Sequence, residues 1–593
     1  MIKVSDYIAQ RLKQKYNINN IFLISGGGSM HLNDSFGRAI PYTTAHNEQA
    51  LAFMAEGYAR INQELAVVNI TTGPGGLNCL NGVFGQWTDS VPVLYISGQV
   101  KLETTVYSCP HLNLRQLGDQ ETNIIKIVQP LTKYAALVDD PLLIGYHLDQ
   151  AIYYATTGRK GPVWLDIPLN IQSAMIDENL LKPFIPPQNN NYNFKIDDIL
   201  VQLQKAEKPL IIAGHGIHLS RQESSFLQLL NKMKIPVVTT FNGMGLLPDN
   251  HPNFAGRIGT LGQRAGNFTL QNADLILCLG TRNNIRQVSY NYENYAKNAY
   301  KIVVDIDSAE LEKPTIIPDL KIQADLSQFL SLIAEKTPII ERPKWLAFCK
   351  NLQDKYHPSI NPEYQHSNNQ INPYGFTMEM LGLLDKDAII VSANATASLT
   401  LFQAANFHSE QRVLCNSGNA SMGYGLPAAI GACLSGKGRQ IICLEGDGSI
   451  MMNIQELQTI KHYDLPIKIF IINNNGYISI KQTQNNFFKG NMTGVSEKSG
   501  VGIPEFNKIG EAFNIFSIRI SDPQNLKSQL TDFLNIKGPA LCEIITNDDY
   551  IFTPKLLAKK LEDGTMISPS LEDMFPFLDK KEWESNIFNK IKI

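Results

Sequence analysis

Short apolar, β-branched runs recur through most of the chain, among them "NIFLISGG", "AVVNITTGPGG", "VPVLYISGQ", "PVWLDIP", "PLIIAGHG", "IPVVTTF", "ADLILCLGTR" and "YKIVVDID". Each is almost continuously hydrophobic, so a strand built from it must be covered on both faces. Helical segments lie between them. This alternation predicts an α/β fold of doubly wound, mainly parallel sheets. At 593 residues the chain exceeds what one core can organise. Two polar, proline-rich stretches, 182–198 and 356–375, read as linkers. They predict consecutive units at 1–180, 195–340 and 370–550, followed by an extension at 551–593. No short period appears, so solenoids and propellers are set aside.

A net charge of -3, with Lys and Arg scattered among Asp and Glu, offers neither a basic stripe for nucleic acid nor a polybasic membrane patch. The N-terminal "MIKVSDYIAQRLKQKYNINN" lacks the apolar core of a signal peptide, and no apolar stretch is long enough to span a bilayer. The eight cysteines show no CxxC pairing and read as reduced residues of a cytoplasmic protein.

Polar punctuation is unusual at two of the buried runs. In "QIICLEGDGSIMMNIQELQTIKHY" a strand meets a glycine-bounded turn and then a helix. Gly446 and Gly448 permit close backbone approach, and helix N–H groups, that of Ser449 included, face an anion. Asp447 would repel that anion unless a divalent cation lay between them. Twenty-seven positions later, the strand "PIKIFII" delivers Asn473 and Asn474 to the neighbouring sheet edge. One carboxylate, one amide oxygen, a backbone carbonyl and diphosphate oxygens suit octahedral magnesium. Either motif alone is an ordinary turn or cap; their combination and spacing favour the metal.

GDG followed at this interval by NN resembles the signature of thiamine diphosphate-dependent enzymes. From about residue 3 to about 550 the chain resembles the acetolactate synthase, or acetohydroxyacid synthase, catalytic-subunit branch. The resemblance implies a pyrimidine-binding, a central and a diphosphate-binding domain, with Asp447, Asn474 and the backbone oxygen of Gly476 as magnesium ligands. "TTAHNEQALAFMAEGYAR" resembles the segment whose glutamate, here Glu48, hydrogen-bonds the cofactor's aminopyrimidine and activates it. "NSGNASMGYGLPAAIGA" places Met422 where a large apolar side chain wedges between the cofactor rings. "TTGPGGLN" implies cofactor contacts at Gly73, Gly75 and Asn78, and "LGDQE" brings Gln120 toward the reacting carbonyl. Tyr477 and Ile480 line the pocket by position, and His111 and Arg115 are candidates for acceptor binding or ordinary surface residues.

The implied activity is decarboxylation of a 2-oxo acid, pyruvate first, and transfer of the two-carbon unit to a carbonyl acceptor. Two departures from the family pattern touch the acceptor: Thr483 stands where these enzymes usually present tryptophan, and Leu169 where they present lysine. "SIKQTQNNFF" and the terminal "LEDGTMISPSLEDMFPFL" resemble members of surface-polysaccharide sugar synthesis, which implies a keto sugar acceptor. In "LGTRNNIRQ" and "VVDIDSAE", Arg282, Arg286 and Asp305 match positions that contact a non-redox FAD, although the residues between the two arginines differ. Bound FAD and an empty dinucleotide-type fold both stay open. The resemblance also implies a homo-oligomer, dimer or tetramer, with sites at the dimer interface.

Competing readings are a simple decarboxylase releasing an aldehyde and a non-catalytic cofactor-binding regulator. The first usually carries paired histidines, and "CPHLN" has one. The second predicts a lost activator or metal ligand, yet Glu48, Asp447 and Asn474 are present. A nicotinamide dehydrogenase would need GxGxxG opening a βαβ unit, and "SGGGSM" has the wrong spacing.

Overall fold

The computed structural model describes the chain except residues 188–191, 193, 368, 409, 561–562 and 589–593. Part of each proposed linker and of the extension therefore lies outside the described residues.

The apolar runs form three six-stranded sheets in which every neighbouring pair is parallel. The first contains β1 (Ile21–Leu23), β2 (Tyr42–Thr44), β3 (Ala66–Ile70), β4 (Val93–Gln99), β5 (Ala135–Leu137) and β6 (Val163–Pro168), ordered β2-β1-β3-β4-β6-β5. The second contains β7 (Pro209–Ala213), β8 (Val237–Thr239), β9 (Phe254–Arg257), β10 (Leu275–Leu279), β11 (Tyr300–Asp305) and β12 (Leu320–Gln323), ordered β9-β8-β7-β10-β11-β12. The third contains β13 (Ile389–Ser392), β14 (Arg412–Cys415), β15 (Ile441–Gly446), β16 (Ile467–Asn473), β17 (Phe516–Ile520) and β18 (Ala540–Ile545), ordered β14-β13-β15-β16-β18-β17.

The first and third sheets thus share one strand order. The glycine-rich turns "TTGPGG" and "GDG" follow the third strand of each, and are topological equivalents. Helix α1 (Glu48–Asn62) and helix α2 (Gly425–Ser435) each follow the second strand. The two helices pack against each other through small residues: a Cβ on Gly57 would sit 2.1 Å from the Ala428 carbonyl oxygen, and one on Gly431 would sit 1.8 Å from that of Met54. One core cluster consequently runs from Phe53 and Met54 through Ala428 and Ile430 to Ile469.

The second sheet has the 3-2-1-4-5-6 order of a dinucleotide fold, whose switch point lies between β7 and β10. Past β18 the chain leaves the third sheet and lays Leu556, Leu571, Leu578 and Trp583 on the core of the central unit. The second proline-rich stretch is packed: Tyr364 stacks on Tyr374 at 4.0 Å and both are buried. All eight cysteines are free, with Cys109 and Cys433 only partly buried. Among the described residues no helix is long and apolar enough to cross a membrane.

Candidate cofactor and metal site

Asp447 is buried at the end of β15, and the neighbouring strand β16 ends at Asn473, one residue before Asn474. Its Oδ2 accepts the N–H groups of Asn474 (3.1 Å) and Gly476 (2.9 Å), and its Oδ1 accepts that of Gly448 (2.7 Å). Burial pushes the carboxyl up to about 6, although these three N–H groups pull the other way. A bound cation would favour the carboxylate.

Asn474 supplies the test of fit. Its Nδ2 donates to Thr396 Oγ1 (3.3 Å) and Tyr550 OH (3.1 Å), which fixes the amide's orientation. Its Oδ1 is buried with no hydrogen-bond partner. A buried carbonyl oxygen in that state is costly, and a hard cation satisfies it. The Gly476 carbonyl accepts Ile478 N–H at 3.1 Å and keeps a second lone pair. Among the described residues no group of three His, Cys, Asp or Glu could hold a metal, so a cation here depends on this mixed oxygen set.

Glycine is required where the loops meet. A Cβ on Gly448 would fall 2.0 Å from the Tyr477 ring, and one on Gly476, at φ +122°, would fall 2.2 Å from the Val495 carbonyl oxygen. Ser449 Oγ accepts Gly423 N–H at 2.9 Å, which ties the segment carrying Met422 to the Asp447 loop. Met422 is half-buried. Gly446 ends β15, and Ile480 is exposed in the first turn of α3 (Ile478–Phe488).

A second cluster forms on the first sheet. Asn47 caps α1 by accepting Gln49 N–H, and Glu48 starts the helix with Oε2 held by Asn78 Nδ2 at 2.9 Å. A Cβ on Gly75 would lie 3.6 Å from Glu48 Oε1. Gly73, at φ +61°, meets the Gln120 carbonyl, where any Cβ would approach to 1.9 Å. The geometry therefore assembles Glu48, Gly73, Gly75, Asn78 and Gln120. His111 and Arg115 are exposed on the preceding loop and line neither the cavity of about 630 Å3 beside the second sheet nor that of about 450 Å3 beside the third. Leu169 likewise lines neither, whereas Thr483 does.

The third group also converges. Arg282, Arg286 and Asp305 line a cavity of about 630 Å3 at the switch point of the second sheet. Its floor includes Gly216 and Gly280, which approach so closely that a Cβ on Gly216 would meet Gly280 Cα at 2.7 Å. The Asp305 carboxyl is raised to about 6 by burial. Sequence reasoning missed Tyr550 and Thr396, which orient Asn474. It also missed Glu121, whose buried carboxylate gathers the N–H groups of Val106, Leu117 (2.9 Å) and Gly118 (3.1 Å) to shape the Gln120 loop. An acidic residue directly after Gln120 was the available signal.

Three family models match, one over part or all of each sheet-bearing unit: the thiamine pyrophosphate enzyme N-terminal TPP binding domain over residues 2–123, the central domain over 196–333, and the C-terminal TPP binding domain over 395–544. An acetolactate synthase large subunit of Lactococcus lactis is 31% identical over 581 residues, 96% of this chain and 94% of the relative. One of Cyanidium caldarium is 30% identical over 570 residues, covering 92% and 93%. The isozyme 1 large subunit of Escherichia coli is 30% identical over 553 residues, covering 91% and 93%. With these three matches in chain order and relatives about 30% identical over more than nine-tenths of its length, the chain belongs to the thiamine pyrophosphate enzymes, in their acetolactate-synthase-like branch.

Proposed function

We propose that the chain decarboxylates a 2-oxo acid, pyruvate first, and joins the two-carbon unit to a carbonyl acceptor. The observation that carries this reading is the unpartnered, buried Oδ1 of Asn474 beside the Asp447 carboxylate. Asp447, Asn474 and the Gly476 carbonyl would hold magnesium, and the metal would hold the cofactor's diphosphate between Gly446, Gly448 and Ser449. When bound, thiamine diphosphate supplies an electron sink for decarboxylation and a nucleophilic carbon for ligation.

The chain's own groups position and move protons. Glu48 holds a proton at the pyrimidine ring, with Asn78 fixing the carboxylate rotamer. Met422 and Tyr477 shape the cofactor's seat, Ile480 borders it, and Gln120 reaches toward the substrate carbonyl. The positive-φ turn at Gly73 brings the Gln120 backbone to the site.

A keto sugar, as used in surface-polysaccharide synthesis, suits the acceptor. Thr483 lines a cavity in which the amides of Asn394, Asn416 and Gln482 stand among apolar residues such as Leu399 and Phe552, so a hydroxyl takes the place where a tryptophan would have added apolar surface. FAD suits the cavity of Arg282, Arg286 and Asp305; an absorbance spectrum with no flavin after incubation with FAD would dismiss it. A cytoplasmic homodimer or larger oligomer completes the reading, with exposed Met451, Met452 and Phe84 as candidate interface residues.

Incubation with thiamine diphosphate, magnesium, pyruvate and a panel of acceptors tests the proposal. Carbon dioxide with a ligated product supports it. Acetaldehyde alone indicates a simple decarboxylase, and no carbon dioxide indicates a binding protein.

A further inference from the structure

A cavity of about 450 Å3 opens at the C-terminal edge of the third sheet, where ligands of open parallel sheets bind. Its wall takes Asn394 and Ser398 from beyond β13, Asn416 from beyond β14, and Gln482 and Thr483 from α3 beyond β16. The Asp447 loop follows β15, which lies between β13 and β16 in the sheet. The cavity and the candidate metal set therefore share one edge. Ala395 and Ala420, both in its wall, hold φ of +50° and +53°, a strained backbone of the kind that gathers at binding sites.

No carboxylate lines this cavity among the described residues, and two cations do: Arg286 and Lys555. Arg286 is shared with the larger cavity. Lys555 belongs to this one alone and comes from the C-terminal extension. Its backbone is clamped, with Lys555 N–H donating to the Phe575 carbonyl (3.0 Å), Phe575 N–H returning to the Lys555 carbonyl (2.8 Å), and Leu556 N–H donating to the Thr260 carbonyl (2.7 Å). The Lys555 ammonium donates to Gln482 Oε1 at 3.2 Å, and Gln482 Nε2 donates to the Tyr550 carbonyl at 3.0 Å, which sets the amide's direction. Among the described residues the Lys555 ammonium has no ion-pair partner. Burial holds its ammonium below the ordinary lysine range. A half-buried cation met, among the described residues, only by a neutral amide is poorly compensated and calls for an anion.

We propose that Lys555 is a specificity-determining residue that pairs with the anionic group, carboxylate or phosphate, of the carbonyl acceptor bound in this cavity. The assignment rests on the carboligation reading above. It explains why the extension is drawn back over the third sheet edge before it packs on the central unit.

The test uses the holoenzyme with Lys555→Met and Lys555→Arg, pyruvate as donor, and charged acceptors matched to neutral ones: dihydroxyacetone phosphate against dihydroxyacetone, and 2-oxobutyrate against butanone. Lys555→Met should raise the KM of the charged acceptor about 10- to 100-fold. It should leave the neutral partner's KM and the single-turnover release of carbon dioxide from pyruvate, measured before any acceptor reacts, unchanged, and Lys555→Arg should restore most of the loss. Which charged acceptor responds identifies phosphate or carboxylate. Equal effects on charged and neutral acceptors, or none, overturn the assignment. If the wild type ligates nothing, the carboligation reading fails separately. Calorimetric titration with dihydroxyacetone phosphate and the unreactive 2-hydroxybutyrate then still decides Lys555: anion binding lost in Lys555→Met upholds it, and anion binding that is absent or insensitive to the substitution overturns it.

Discussion

Asp447 Oδ2 accepts the backbone N–H of Asn474 at 3.1 Å, a bond that crosses from the end of one strand to the end of its neighbour. It locks the carboxylate plane while the Asn474 amide oxygen is left for another partner. Asp447→Asn and Asn474→Ala should each weaken magnesium-dependent binding of thiamine diphosphate at least about 100-fold, since even outer-shell partners of metal ligands are worth 10- to 100-fold. Isothermal calorimetry with and without magnesium checks this. Unchanged affinity in either variant would remove the metal from that loop.

Tyr550→Phe should act more mildly. The phenol oxygen is one of two acceptors holding Asn474 Nδ2, and Thr396 Oγ1 remains. Magnesium affinity should fall about tenfold, with diphosphate affinity at saturating magnesium preserved. Magnesium titration at fixed cofactor measures the difference.

These two residues mark what the sequence could and could not reveal. Asp447 and Asn474 were legible because each directly follows a buried apolar strand and short polar residues rarely occur there without a partner. Tyr550 lies 76 positions from Asn474, beyond two further strands, and nothing local distinguishes it from a core tyrosine. The parallel sheets were legible from continuous hydrophobicity. Their strand order was not, because pairing between remote segments leaves no periodic trace; the equivalence of "GPG" and "GDG" emerged only from the topology. Lys555 was hidden for a related reason: the extension has weak periodicity, and its path back across the third sheet depends on contacts with Thr260 and Phe575.

Glu48→Gln should slow exchange of the cofactor's C2 hydrogen by about 100- to 10,000-fold, the usual range for losing a positioned acid or base. Asn78→Ala should give a smaller loss, because it frees the carboxylate rotamer and leaves the charge. Quenched-flow deuterium exchange followed by NMR reads both. Equal exchange in Glu48→Gln and wild type would end the activator role.

The contact between the first and third units has no room for growth. Gly57→Val introduces a Cβ 2.1 Å from the Ala428 carbonyl oxygen, a backbone atom that moves only with α2. Overpacking of this kind costs about 1–3 kcal/mol. Thermal unfolding should shift downward, and cofactor affinity should drop as the Met422 segment before α2 is displaced. A change at the exposed Lys13, whose ammonium donates to the Ala39 carbonyl, serves as the neutral comparison.

Glu445 gives the pH dependence. Its Oε1 accepts Leu426 N–H at 2.8 Å at the start of α2, its Oε2 is buried without a partner, and burial pushes its carboxyl up to about 7 from 4.5. Below pH 4.5 both folded and unfolded chains carry the proton and the residue costs nothing by ionisation. Between 4.5 and 7 the unfolded chain releases a proton that the folded chain retains, so stability falls as pH rises, and above 7 the loss is complete. That loss is about 3 kcal/mol. Glu445→Gln keeps an acceptor for the helix N–H and removes the titration. Urea unfolding at pH 5 and pH 8 should therefore show the variant gaining on wild type at the higher pH, and a pH-independent difference would place the Glu445 proton elsewhere.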